Sequence, residues 1–130
     1  MNIRKPTDYA TMFTTLDTLM ATRLPQMELY REIGRVVSRR SEKGAAVAAS
    51  EYLQATYPTA DGFSPRNVRR MRAFYATYEE SPEIMHLAMH LGWTRNVAIL
   101  EGCGSSEERA WYIRAVLHFG WKKAKLLAAI

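Results

Sequence analysis

The sequence predicts an all-α domain, and three features of the 130-residue chain carry that prediction. Apolar residues recur at three- and four-residue spacing through nearly every segment, so each segment has one stripe to bury. Ser, Thr, Pro and Gly fall between the segments, where helices start and stop. No run has the strict two-residue alternation of a half-buried strand. The expected arrangement is a compact multi-helix domain over residues 1–130. It contains a helix-turn-helix or winged-helix-like unit at 44–78 and a C-terminal helical part at 82–130.

Each helix has its own signal. Thr7 is positioned to cap a first helix in which Tyr9, Phe13, Leu16 and Met20 follow helical spacing, and Pro25 ends that pattern. A second helix turns Met27, Tyr30, Ile33 and Val37 inward and Arg31, Arg35 and Arg39 outward, with Gly34 on the apolar side allowing close helix packing. Gly44 opens an alanine-rich third helix to about Thr56 that buries Ala45, Ala48, Ala49, Tyr52 and Leu53. Tyr57-Pro58 closes it, and Asp61-Gly62 marks a turn. Ser64 then caps, and Pro65 begins, a helix whose Val68, Met71, Tyr75 and Tyr78 form the inner stripe. At about 100° per residue, Arg66, Arg69 and Arg70 lie opposite that stripe and Arg72 lies on its flank.

Ser81-Pro82 starts a short helix with Ile84, Leu87, Ala88 and Leu91, and Trp93 or Thr94 starts another with Val97, Leu100 and Ile99 as its inward candidates. Ser105 or Ser106, followed by Glu107 and Glu108, caps a helix bearing Trp111, Tyr112, Val116 and Phe119 on its apolar side. Leu91-Gly92-Trp93-Thr94-Arg95 and Phe119-Gly120-Trp121-Lys122-Lys123 echo each other. In each, Gly stops one helix and Trp anchors the next, which is most simply a structural duplication.

Composition is that of an ordinary globular protein, with 48% hydrophobic and 24% charged residues. No apolar run approaches the roughly 20 residues of a membrane span, and no hydrophobic leader follows the first basic residues. The single cysteine, Cys103, excludes an intramolecular disulfide and fits a cytoplasmic location. The net charge of +5 is confined to residues 31–78, where nine basic side chains face four acidic ones. Eight of those nine are arginine, the residue better suited to phosphates and base edges. A localised basic block of this kind is an electrostatic footprint for a polyanion.

Catalytic constellations are missing. His86 and His90 have the i, i+4 spacing of a metal pair but lack the Glu and the further ligands of a zinc motif. The aspartates are scattered rather than clustered for a divalent metal, and no phosphate-binding loop or nucleophile elbow occurs. No cofactor or metal is implied.

Five stretches together resemble the N-terminal domain of YhcG-type bacterial proteins. They are Tyr30-Arg31-Glu32-Ile33-Gly34, Gly62-Phe63-Ser64-Pro65-Arg66-Asn67-Val68 running on to Met71-Arg72-Ala73-Phe74, Trp93-Thr94-Arg95-Asn96-Val97, Glu107-Glu108-Arg109-Ala110-Trp111-Tyr112, and Gly120-Trp121. Arg31 and Arg95 depart from the Trp and His common in that family. The resemblance implies a helical, helix-turn-helix-like fold with a DNA-targeting role, usually followed by a nuclease of the PD-(D/E)XK class. The chain ends at Ile130, about where that nuclease would begin.

The expected function is therefore a non-catalytic DNA-binding module, targeting or regulatory, of bacterial or phage origin. Arg66, Asn67, Arg69, Arg70 and Arg72 would face DNA from the basic helix, and Arg35, Arg39, Arg40 and Lys43 would hold the backbone from the neighbouring segment. Duplex DNA is the expected partner. A separate nuclease and a homodimer that reads two half-sites are further partners in keeping with this reading. The alternative is a protein-interaction adaptor, or an antitoxin-like partner of a nuclease, using the aromatic residues as a hot spot.

Overall fold

The computed structural model describes residues 7–130. Eight helices occur among them: α1 (Ala10–Thr22), α2 (Gln26–Ser38), α3 (Gly44–Thr56), α4 (Pro65–Tyr78), α5 (Pro82–Ala88), α6 (Trp93–Gly102), α7 (Ser106–Phe119) and α8 (Lys123–Ala129). No strand lies among the described residues, so the all-α expectation holds and the helices carry no β wing.

The start signals act as their chemistry requires. Ser64 Oγ accepts the Asn67 amide at 3.1 Å, and Ser105 Oγ accepts the Glu108 amide at 3.1 Å. At the first helix the sequence expectation is corrected: Asp8 Oδ1, not Thr7, takes the Ala10 amide at 2.9 Å. Gly120, with φ of +66°, closes α7 in the left-handed conformation. The echoed Gly-Trp units are linked by Arg95, whose guanidinium donates to Leu91 O at 2.7 Å in one unit and to Trp121 O at 2.9 Å in the other.

Two apolar clusters share α4. Val68 and Met71 join Met12, Leu16, Ile33, Val37 and Leu53 in the first. One turn further on, Phe74 and Tyr78 join Leu91, Ile99, Ile113 and Leu126 in the second. Trp93 packs against both and meets Tyr30 and Phe74 edge-on at 5.0 and 5.8 Å. Because α4 is covered along two directions, its inner stripe is wider than periodicity suggests. Phe74 is fully buried, while Tyr75, expected inward, is only partly so.

α2 crosses α4 with the two backbones in close approach at Gly34. A Cβ on Gly34 would lie 2.7 Å from the Met71 carbonyl carbon and closer still to its oxygen. Gly34 thus lets two backbones touch, as its place on the apolar stripe predicts.

Two helices depart from expectation. In α6 Ile99 is fully buried and Leu100 packs partly against the second cluster, but the other buried residue is Asn96, whose Nδ2 serves the carbonyls of Ala88 and Gly92 at 2.8 and 2.9 Å. In α7 the core side is Ile113 and Val116, Ala115 is buried beneath the outer groove, and Trp111 and Phe119 remain largely exposed.

Asp17 ties α1 to α3. Its two carboxylate oxygens accept the hydroxyls of Tyr52 and Tyr57, each at 2.6 Å. Those bonds hold the Asp17 carboxyl below its ordinary value, and the carboxylate in turn pushes the Tyr57 phenol up to about 12. A phenol raised in the folded state contributes stability that is complete below its ordinary value of 10.0 and is lost as pH climbs towards about 12. The depressed carboxyl gives the mirror effect, a loss as pH falls through the ordinary carboxylate range. Thermal melts across the alkaline window should therefore decline more steeply for the parent than for Asp17→Asn. Parallel declines would mean that this cluster does not govern the alkaline response.

Candidate nucleic-acid interface

The nine polar residues that the sequence nominates fall into two groups once their partners are seen. Asn67 is held internally. Its Nδ2 donates to Gly62 O at 2.7 Å and its Oδ1 accepts Trp93 Nε1 at 2.8 Å. Around it the Gly-Phe-Ser-Pro-Arg-Asn run builds a joint. Gly62 adopts φ of +92°, where a Cβ would collide with the Tyr30 hydroxyl, and the Phe63 carbonyl accepts buried Ser50 Oγ at 2.6 Å. Of this run only Arg66 presents a charged group to solvent.

Arg72 lies along α4 and donates to Arg40 O and, at 3.2 Å, to Glu42 O. It satisfies carbonyls of the α2–α3 connection and draws that loop against α4. Arg40 is held by Glu42 through two bonds of 3.2 Å, donates to Asp8 O at 3.1 Å, and lies over the Tyr9 ring at 4.8 Å. Arg35 grips Glu32 Oε1 at 2.7 and 3.0 Å, and Arg31 reaches the other oxygen at 3.2 Å. Burial works to raise the Glu32 carboxyl, but the bonds and charges of Arg35 and Arg31 outweigh it and hold the group below its ordinary value. Arg70 turns away from these residues to Glu101 on α6, with Nε to Oε1 at 2.6 Å.

That leaves Arg39, Lys43, Arg66 and Arg69 exposed, and among the described residues none of the four has an ion-pair partner. Two lie on α4 and two bound the α2–α3 loop that Arg72 holds against that helix. Arg66 and Arg69 are one helical turn apart on α4, and Arg72 continues that line into the loop whose two ends are Arg39 and Lys43. Glu101 is the residue that sequence reasoning missed. It lies 31 positions from Arg70, and nothing local to either residue signals the pair.

The chemistry elsewhere is sparse. His86 and His90 rings sit 5.2 Å apart and exposed, and among the described residues no group of three or more His, Cys, Asp or Glu could hold a metal. Burial pushes the Cys103 thiol up from its ordinary value. No helix of the described residues is long and apolar enough to cross a membrane.

The family model described as the DUF1016 N-terminal domain matches residues 16–130. The chain belongs to this family. No curated protein and no solved structure shows significant similarity to it. The match identifies the chain with the YhcG-type N-terminal domain that its motifs suggest. In this DUF1016 N-terminal domain, most motif residues that carry the resemblance have packing or hydrogen-bonding work: Tyr30, Gly34, Gly62, Ser64, Asn67, Trp93, Arg95 and Asn96 all do.

Proposed function

We propose that this domain is a non-catalytic DNA-binding module, targeting or regulatory, which meets the phosphate backbone with the outer face of α4 and the adjoining α2–α3 loop. α3 and α4 act as a loose helix-turn-helix. The observation that carries this reading is that Arg66 and Arg69 on α4, and Arg39 and Lys43 at the ends of the loop that Arg72 bonds, are four exposed cations with no ion-pair partner among the described residues. Cations held in solvent without carboxylates are free to displace counterions from a polyanion, whereas Arg35, Arg40 and Arg70 already have acidic partners. Arg72 contributes indirectly, as the positioning residue of the loop, and Asn67 by holding the start of α4.

Four phosphate contacts correspond to a log–log salt slope of about −3.6 on duplex DNA. Fluorescence anisotropy with a duplex at several salt concentrations measures it. Arg66→Ala/Arg69→Ala should weaken binding and flatten the slope by about 2 units with no change in melting temperature. Glu101→Ala should release Arg70 and steepen the slope by about 1 unit. Salt-independent binding, or a double variant indistinguishable from the parent, would remove α4 from the interface.

A further inference from the structure

We propose that this chain forms a twofold homodimer in which the outer face of α7 packs antiparallel against the same face of a second copy. The face is distinct from α4, and the proposal stands without the DNA-binding reading. Its starting point is the double amphipathicity of α7. Ile113 and Val116 fill the second apolar cluster, yet the opposite side carries Trp111 at 57% and Phe119 at 61% exposure. Trp121 lies against both, 6.4 Å from the Trp111 ring and 5.6 Å from the Phe119 ring. Between Trp111 and Phe119, Ala115 floors a shallow groove of about 370 Å³ that Arg114, 4.0 Å from Glu83, and His118 also line. Single exposed apolar residues need no partner, but aromatics gathered round a groove mark a contact surface.

The charges say what kind of partner fits. Glu107 and Glu108 stand exposed at the start of α7, and Lys122 and Lys123 stand exposed just beyond its end. An antiparallel copy centred on Ala115 sets Trp111 opposite Phe119. The same placement brings the Glu107–Glu108 end to the Lys122–Lys123 end, and a twofold axis makes each contact twice. The midpoint falls over Ala115, the buried floor of the groove, into which the partner's side chains can enter. A nucleic-acid strand laid on the same aromatics would meet Glu107 and Glu108 as like charge, and the Trp121 face is already occupied by Lys125, with Nζ 5.9 Å from the ring centre.

Sedimentation velocity of the whole chain over a wide concentration range tests this. A monomer–dimer equilibrium is expected, and Trp111→Lys or Phe119→Lys should raise its dissociation constant by about tenfold or more. These side chains are exposed, and circular dichroism checks that the fold is retained. The charge exchange keeps the test decisive. Glu107→Lys/Glu108→Lys alone and Lys122→Glu/Lys123→Glu alone should each be shifted towards monomer, while an equimolar mixture of the two restores dimer because both contacts become attractive. A parent that stays monomeric at every concentration overturns the proposal. So does a dimer indifferent to all of these changes, or a mixture no more associated than its components. A monomer whose Trp111 and Phe119 variants lose binding to a single-stranded oligonucleotide also overturns it, in favour of base stacking.

Discussion

Gly34→Ala should lower the free energy of unfolding by about 3 kcal/mol, the largest single-residue effect expected in this molecule. The added methyl would sit 2.7 Å from the Met71 carbonyl carbon, and both walls of the contact are helix backbone. A long side chain can swing away from an intruding methyl, but a backbone carbonyl in mid-helix moves only with its helix. The two helices must then separate, and the first apolar cluster loses contact along Ile33, Val37, Val68 and Met71. The control is Gly44→Ala, where the nearest atom to the new methyl is the Tyr9 hydroxyl at 3.4 Å, an ordinary contact. That variant should stay within about 0.5 kcal/mol of the parent. Urea unfolding followed by circular dichroism separates the two. If Gly34→Ala unfolds at the parent's denaturant concentration, α2 and α4 do not cross at this point.

Asn67→Asp should follow, at about 2–3 kcal/mol near neutral pH. The side-chain amide donates to Gly62 O and accepts from Trp93 Nε1, and so joins the turn, the start of α4 and the start of α6. A carboxylate keeps the second bond but puts an acceptor against the Gly62 carbonyl, where two oxygens repel. Protonation restores a donor, so the deficit in melting temperature relative to the parent should shrink as pH is lowered to about 4 and the introduced carboxyl becomes neutral. A deficit that does not change with pH would mean that the Gly62 bond is not what Asn67 supplies. The same variant bears on function. A residue used to read an adenine edge would cost affinity without costing stability, the reverse of what is expected here.

Much of the fold was legible because helices announce themselves locally. Ser64 and Ser105 cap the helices they precede, Pro65 and Pro82 occupy first turns, and Gly120 ends α7 with positive φ. Gly34 was legible too, since glycine on an apolar stripe has few other uses. Legibility failed where burial depends on what lies across the space. Periodicity predicts one inner stripe on α4, but with helices on two sides it buries Phe74 as well. Trp111 and Phe119 have the spacing of core residues, yet the core side of α7 is taken by Ile113 and Val116. Periodicity identifies an apolar face without saying whether this chain or another covers it.

The basic surface divides in the same way. The helical framework, the start of the arginine-rich helix and the confinement of excess charge to residues 31–78 can be read from local residues, because helical period, capping chemistry and charge counts are properties of near neighbours. Which cations remain without an acidic partner depends on contacts between distant segments. Glu101 reaches Arg70 from 31 residues away, and Arg72 turns to carbonyls of Arg40 and Glu42 about as distant. An ion pair or a capped carbonyl depends on where packing brings its partner, and that position is set by the Gly34 crossing and the Asn67–Trp93 joint rather than by the residues beside it.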